Sequence, residues 1–288
     1  MDTTRSASTA TPAPEVKPRP VGCANCRDAK PAFPFSMAFQ PVVDLERRRI
    51  DAYEALARGP NGEGAGTVLG QVTPENRYAF DQACRVKAIE LATALGFVGA
   101  TAPGGSGGDG GARLNINFLP NAVYEPAACI RLTLEAARRT GFPLDRITFE
   151  IVEQEELSNE QHLQRIITEY KSHGFQVALD DFATGYSGLS RLAALRPDIV
   201  KLDRVMIQDI DRDPMRRAIV AAVVALCREI GVKPVIEGVE TAAEVETLRA
   251  IGVRFMQGFY FARPAFESLP SPDTIPWPQP GTRLISAA

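Results

Sequence analysis

Apolar positions along the chain switch between two periods. Residues 37–45 and 50–57 are short apolar runs joined by the polar stretch 46–49, a pattern that predicts two strands paired antiparallel. Thr73-Pro74 then reads as a helix start, and Phe80, Cys84, Ala88, Leu91 and Leu95 recur at helical spacing until Gly96. Beyond it, strand and helix patterns alternate. Strands are predicted over 113–118, 146–152, 176–180, 199–202, 234–237 and 255–261. Helices are predicted over 127–139, 160–173, 215–230 and 242–251, with a short one after a glycine-bearing loop. About eight strands with helices between most of them predict an α/β fold, a TIM-like (β/α)8 barrel. The antiparallel first strand makes it irregular. An open doubly wound sheet stays open as the alternative, although no glycine phosphate loop follows an early strand.

The pattern is lost in three places. Residues 1–34 are rich in Thr, Ala, Pro and Ser without periodicity and are expected to be a disordered N-terminal tail. Residues 99–112 are glycine-rich and are expected to be a flexible loop inside the domain 35–268. Residues 269–288 form a Pro-rich C-terminal tail, expected to be extended and pinned to the body by Trp277.

Composition narrows the chemistry. With 32 Lys+Arg against 35 Asp+Glu over 288 residues, the net charge is −3, which argues against a DNA-coating protein. No run of about 18 apolar residues predicts a membrane span. The Met1 end lacks the form of a secretory signal, so a cytoplasmic location is expected. The five cysteines are odd in number, and Cys84, Cys129 and Cys227 sit in helical patterns, as reduced thiols would. Cys23 and Cys26 form one C-x-x-C with no second Cys/His pair to complete a zinc site. The two histidines, His162 and His173, fall on one helix, so a histidine triad lacks material and any metal should be oxygen-ligated.

Polar residues recur within and at the ends of the apolar strands: Glu54, Asn115, Glu150, Asp180, Asp181, Lys201, Glu237 and Gln257. Any one of them alone would read as a helix cap or a surface residue. Eight over seven successive strands do not. In a barrel they converge on the C-terminal mouth. Five carboxylates against one lysine would repel and take up protons. Divalent cations relieve this, and two ions about 3.5–4 Å apart are the usual device for cleaving phosphate esters.

At this point the residues resemble a known family. Tyr53-Glu54-Ala55-Leu56-Ala57-Arg58 is similar to the signature of the EAL domain, the bacterial phosphodiesterase of cyclic di-GMP. The likeness runs on through Leu114-Asn115-Ile116-Asn117, Phe149-Glu150-Ile151-Val152-Glu153 and the stretch from Leu179-Asp180-Asp181-Phe182 to Leu189. It continues through Val200-Lys201-Leu202-Asp203-Arg204, Ile236-Glu237-Gly238-Val239-Glu240-Thr241 and Gln257-Gly258-Phe259. These blocks stand in family order over roughly 37–264.

The resemblance implies an irregular barrel that hydrolyses cyclic di-GMP to linear 5′-pGpG with two ions, Mg²⁺ or Mn²⁺. It implies that Glu54, Asn115, Glu150 and Asp180 hold the first ion, and that Asp180 bridges to a second that Asp181 also binds. Glu237 would orient or deprotonate the attacking water, or bind the second ion. Lys201 would hold the water or balance charge. Glu153 would anchor the loop 182–189, and Leu56, Arg58 and Gln257 would border the dinucleotide. A homodimer with contacts at that loop is implied as well, with no membrane or DNA partner. A sensor or regulatory partner is left open. Ala183 stands where the family usually has Gly, Val152 where Thr is usual, Ile236 where Ala is usual and Asn117 where Ser is common. None is a metal ligand. A catalytically inactive cyclic di-GMP receptor or interaction module on the same fold is the alternative reading.

Overall fold

The computed structural model describes residues 33–97, 111–151, 160–182 and 188–279. The expectations for Cys23 and Cys26, for Val152, Glu153 and Ala183, and for most of 1–34 and 99–112 lie outside those residues.

Eight strands close a barrel: β1 (Ser36–Asp44), β2 (Arg49–Arg58), β3 (Arg113–Phe118), β4 (Ile147–Ile151), β5 (Gln176–Phe182), β6 (Ile199–Leu202), β7 (Lys233–Ile236) and β8 (Phe255–Met256). β2 to β8 pair in sequence order, all parallel. β1 closes the ring by pairing antiparallel with β2 and with β8, and the short β9 (Ala265–Phe266) adds to its edge. The fold is therefore the irregular barrel expected from the alternating pattern, and the open sheet is excluded.

Helices fill the connections. They are α1 (Ala65–Leu69), α2 (Arg77–Ala94), α3 (Pro126–Cys129), α4 (Arg131–Thr140), α5 (Glu160–Ser172), α6 (Gly188–Leu195), α7 (Arg204–Ile207), α8 (Pro214–Glu229) and α9 (Ala242–Ile251). No helix among the described residues is long and apolar enough to cross a membrane. Two helix ends follow the local chemistry closely. Thr241 and Glu244 form a reciprocal capping box at the start of α9, and Gly252 ends it at φ 91°. Asp213 caps α8 by accepting from Met215 N and Arg216 N.

Three expectations shift. α2 starts at Arg77 rather than at Pro74, because Asn76 Oδ1 accepts from Thr73 N at 2.8 Å and closes a turn first. The helix expected over 127–139 is divided at Ile130 into α3 and α4. The last strand stops at Met256 instead of continuing to 261. There the chain turns over the Val239 backbone at Gly258, where any Cβ would collide with the Val239 carbonyl.

The barrel interior is layered. Val42, Ala52, Ala178, Ile199 and Val235 pack together with Phe255 as an apolar floor. Side chains alternate along a strand, so the next inward position lies two residues on. That step gives Glu54, Asp180, Lys201, Glu237 and Gln257 on the parallel strands. On β1, which runs the other way, it gives Gln40, registered opposite Glu54. The polar layer thus sits at the C-terminal mouth on a dry floor.

Outside the strands the core is continuous and apolar. Full burial of each Val, Leu, Ile or Phe in it contributes about 1.5–3 kcal/mol. One ion pair is sunk in this core. Arg85 of α2 lies 2.6 Å from Asp81 and donates to Tyr170 OH at 2.6 Å, among the rings of Phe118, Phe149 and Tyr170. The β1–β2 hairpin is strapped from outside by the C-terminal stretch: Tyr53 OH donates to Pro270 O at 2.6 Å and Ile275 is buried.

Candidate active site

Lys201, at the end of β6, is the hub. Its Nζ lies 2.6 Å from Glu237 Oε1, 2.9 Å from Glu150 Oε2, 3.2 Å from Asp180 Oδ1 and 3.5 Å from Glu54 Oε2. The lysine is 1% exposed and Glu150 is fully buried. Four carboxylates from β2, β4, β5 and the end of β7 thus meet at one ammonium.

Amide side chains hold these acids in place. Asn115 Nδ2 donates to Glu150 Oε1 at 2.8 Å, and Asn117 Nδ2 donates to Glu54 Oε1 at 2.9 Å. Gln257 Nε2 donates to Glu54 Oε2 at 2.7 Å and to Gln40 Oε1 at 3.1 Å, while Gln40 Nε2 donates to Ala262 O at 3.0 Å. Glu54 is therefore gripped at both oxygens, a fixed rather than a wandering carboxylate.

Asp180 and Asp181 are neighbours on one strand, and ordinary alternation would send them to opposite faces. The β5–β6 register shifts between Leu179 and Phe182, and Asp181 adopts a left-handed φ of 53°. Aspartate tolerates that region better than most residues, at a cost of about 1–3 kcal/mol. The break in alternation brings the two acids together: oxygens of Asp180, Asp181 and Glu237 all lie within 4.8 Å of one another. Asp181 is one of five non-glycine residues with positive φ among the described residues, and the one at this site.

The electrostatics follow from burial. Burial pushes Glu150 and Glu237 well above the usual carboxylate range, against the pull of Lys201, and neighbouring acids push them further. Burial acts upward on Glu54 too, but Lys201 and the hydrogen bonds from Gln257 and Asn117 outweigh it and hold Glu54 below its usual value. Burial acts downward on Lys201, and the four carboxylates overcome it, so the ammonium is held well above its usual value.

The donor set fits divalent cations. Asn115 Oδ1 is buried and accepts no hydrogen bond, although its own amide is committed to Glu150. Carboxylate and amide oxygens are the ligands that hard ions prefer.

Leu56, with Gln40, Glu54, Glu237 and Gln257, lines a cavity of about 290 Å³ beside the cluster. Arg58 sits half-buried near Glu54 and donates to Ala57 O at 2.8 Å. A larger cleft of about 880 Å³ opens between α6 and α8, at the start of β5–β7, the opposite end of the barrel. Its lysines are already paired, Lys171 with Asp198 at 2.9 Å and Lys233 with Asp51 at 2.6 Å.

The structure brings together Glu54, Asn115, Glu150, Asp180, Asp181, Lys201, Glu237 and Gln257. Sequence reasoning missed Gln40 and gave no role to Asn117 or Arg204. Gln40 carried a signal, a lone amide inside the apolar run 37–43.

Comparisons with known proteins agree. Among solved structures, a standalone versatile EAL protein from Vibrio cholerae O395 in its c-di-GMP bound form is 48% identical. It covers 83% of this chain and 96% of its own, with a TM-score of 0.76. A calcium/cy-diGMP complex of Klebsiella pneumoniae BlrP1 is 31% identical over 85% of this chain and 59% of its own, with a TM-score of 0.74. Among curated relatives, the probable cyclic di-GMP phosphodiesterase PdeG of Escherichia coli is 32% identical over 78% of this chain and 44% of its own length. The blue light- and temperature-regulated antirepressor BluF of Escherichia coli is 27% identical over 84% of this chain and 56% of its own. The chain thus spans about half the length of these curated relatives. The family model for the EAL domain matches residues 26–264, and the chain belongs to the EAL domain family.

Proposed function

We propose that this chain hydrolyses cyclic di-GMP to linear 5′-pGpG with two divalent cations, Mg²⁺ or Mn²⁺. The observation that carries the reading is the convergence of Glu54, Glu150, Asp180 and Glu237 on one buried lysine, with Asp181 turned into the same site. The c-di-GMP complexes of the structural neighbours support the substrate, and the calcium complex supports a divalent ion.

Glu54, Asn115, Glu150 and Asp180 would hold one ion; Asp180 would bridge to a second, bound also by Asp181. Bound divalent ions supply Lewis acidity at the phosphate oxygens and acidify water. Glu237 orients the attacking water. Its Oε1 accepts from Lys201, and its other oxygen takes the proton as water attacks phosphorus; the bond to the 3′ oxygen breaks, and that oxygen takes up a proton from solvent to leave as a hydroxyl. The raised proton affinity of Glu237 makes it a better acceptor for that proton. Lys201 balances charge on the phosphate. Leu56 and Arg58 border the dinucleotide, together with Gln257, whose amide also fixes Glu54. Glu153, outside the described residues, anchors the loop 182–189 in this reading, and the chain acts in the cytoplasm as a homodimer.

The second reading is a cyclic di-GMP receptor or interaction module that does not turn substrate over. It draws on the antirepressor among the relatives. Incubation of the protein with cyclic di-GMP and Mn²⁺, followed by chromatography, separates the two. Linear product that disappears with chelator is expected. Bound but intact dinucleotide would favour the receptor.

A further inference from the structure

Glu237 lies just past the end of β7, on a short connection to α9, yet its side chain must be held to a fraction of an ångström to serve a reacting water. Its backbone is anchored on one side by the sheet, where Glu237 N donates to Leu202 O at 2.9 Å. On the other side the connection is Gly238, Val239 and Glu240, and Gly238 has φ 66°. What fixes this turn is a side chain from the neighbouring strand end. Arg204, at the start of α7, donates from Nη1 to Gly238 O and pairs through Nη2 with Glu240 Oε2 at 2.9 Å. The turn is braced again from below. Glu244 Oε2, on α9, accepts from Glu240 N at 2.8 Å and from Thr241 N at 3.0 Å. Glu244 Oε1 lies 3.6 Å from Arg204 Nη1. A Cβ on Gly238 would sit 2.5 Å from Arg204 Cβ, so the glycine is what lets the arginine stem lie across the turn.

We propose that Arg204 is a positioning residue that sets the Glu237 carboxylate through the turn Gly238–Glu240. The proposal rests on the hydrolytic role of Glu237 given above. A planar guanidinium with two donor edges can hold a carbonyl and a carboxylate at once, which a lysine cannot. Arg204 is a third exposed and also lines the cavity beside the site, so the competing role is direct contact with substrate. The two roles predict different kinetics.

The test compares Arg204→Ala with the wild-type chain by three readouts. If Arg204 acts by position, kcat falls about 10²-fold while the dissociation constant for cyclic di-GMP, measured in chelator, stays within about twofold. In a Glu237→Gln background the same change lowers kcat by less than about threefold, because the residue it positions is already disabled. Hydrogen exchange of the amides of residues 239–241 accelerates at least about tenfold. A weakened dinucleotide affinity matching the loss of kcat would overturn the proposal in favour of substrate contact. Full additivity with Glu237→Gln would overturn it as well. If Arg204→Ala does not fold, Arg204→Lys and Glu240→Gln each remove the two-point hold and are read in the same way. If the wild-type chain hydrolyses nothing, the phosphodiesterase reading fails. The clamp is then decided by exchange alone, and unchanged protection at 239–241 overturns it.

Discussion

Lys201 Nζ stands 2.6 Å from Glu237 Oε1, closer than to any of the other three carboxylates around it. The lysine emerges from the end of β6 and the glutamate from just past the end of β7, so adjacent parallel strands deliver a cation and an anion to the same mouth of the barrel. One ammonium cannot neutralise four acids. Burial and mutual repulsion raise the proton affinities of Glu150 and Glu237. Cations entering this site compete with protons for these oxygens, so their affinity should rise with pH.

Lys201→Met keeps the volume and removes the charge. In chelator the variant should be destabilised by about 3 kcal/mol, because four clustered acids, two of them buried, lose their shared partner. Mn²⁺ should raise its melting temperature more than it raises that of the wild type, since the metal then supplies all the compensation. Calorimetry with and without Mn²⁺ checks this. Equal metal-induced shifts would argue that the ions bind away from Lys201.

Asp180→Asn tests the bridging acid. The substitution keeps shape and removes the charge shared between two ions. Turnover should fall at least about 10²-fold while thermal unfolding in chelator changes little, because the lost carboxylate was one of several repelling neighbours. Product chromatography and calorimetry on the same preparation decide it. Unchanged turnover would refute the shared-ligand role.

Much of this site was legible in the chain because a barrel strand places every second residue inward. Glu54, Glu150 and Lys201 are each isolated polar residues in apolar runs, and that isolation marks them. Gln40 was missed because the strand carrying it runs the other way, so its inward position reaches the mouth from before the signature rather than after it. Asp181 was placed at the mouth as the second acid ending a strand. Its means of reaching it, a left-handed residue at a register shift, has no period to read. Arg204 was hidden for another reason. An arginine at the start of a four-residue helix looks solvated until the turn it crosses is known.

Away from the site, Asp44 should govern part of the acid stability. Its fully buried carboxylate accepts from Arg254 Nε at 2.8 Å and Nη2 at 2.6 Å. Burial acts upward on it, but Arg254, the Arg47 amide and Arg49 outweigh that and hold it below the usual carboxylate value of 3.8. A group depressed in the folded state stabilises above its unfolded pKa and loses that contribution as pH falls through the folded one. Stability should therefore drop as pH falls below about 4. Asp44→Asn should flatten the slope in that range and lower stability near neutral pH. Urea unfolding from pH 7 downward measures both, and an unchanged slope would remove Asp44 from the account.

The Asp81–Arg85 pair makes the sharpest stability prediction. Both side chains are at most 1% exposed, one turn apart on α2, and the guanidinium lies among Phe118, Phe149 and Tyr170. Asp81 Oδ1 also accepts from Leu119 N at 2.9 Å, which ties the helix to the chain leaving β3, the strand that carries Asn115. Arg85→Met leaves Asp81 charged in an apolar core and should cost about 3–5 kcal/mol. Asp81→Asn should cost less, because the amide still offers an oxygen to the arginine and to Leu119 N. The double variant Arg85→Met with Asp81→Leu removes both charges and should be more stable than Arg85→Met alone, since no uncompensated ion is left. If the double variant is instead the least stable of the three, the tie to Leu119 N outweighs the ion pair. The pair's main work is then to hold β3 and its asparagine in register rather than to satisfy its own charges. Denaturant melts of the four proteins give the ordering directly.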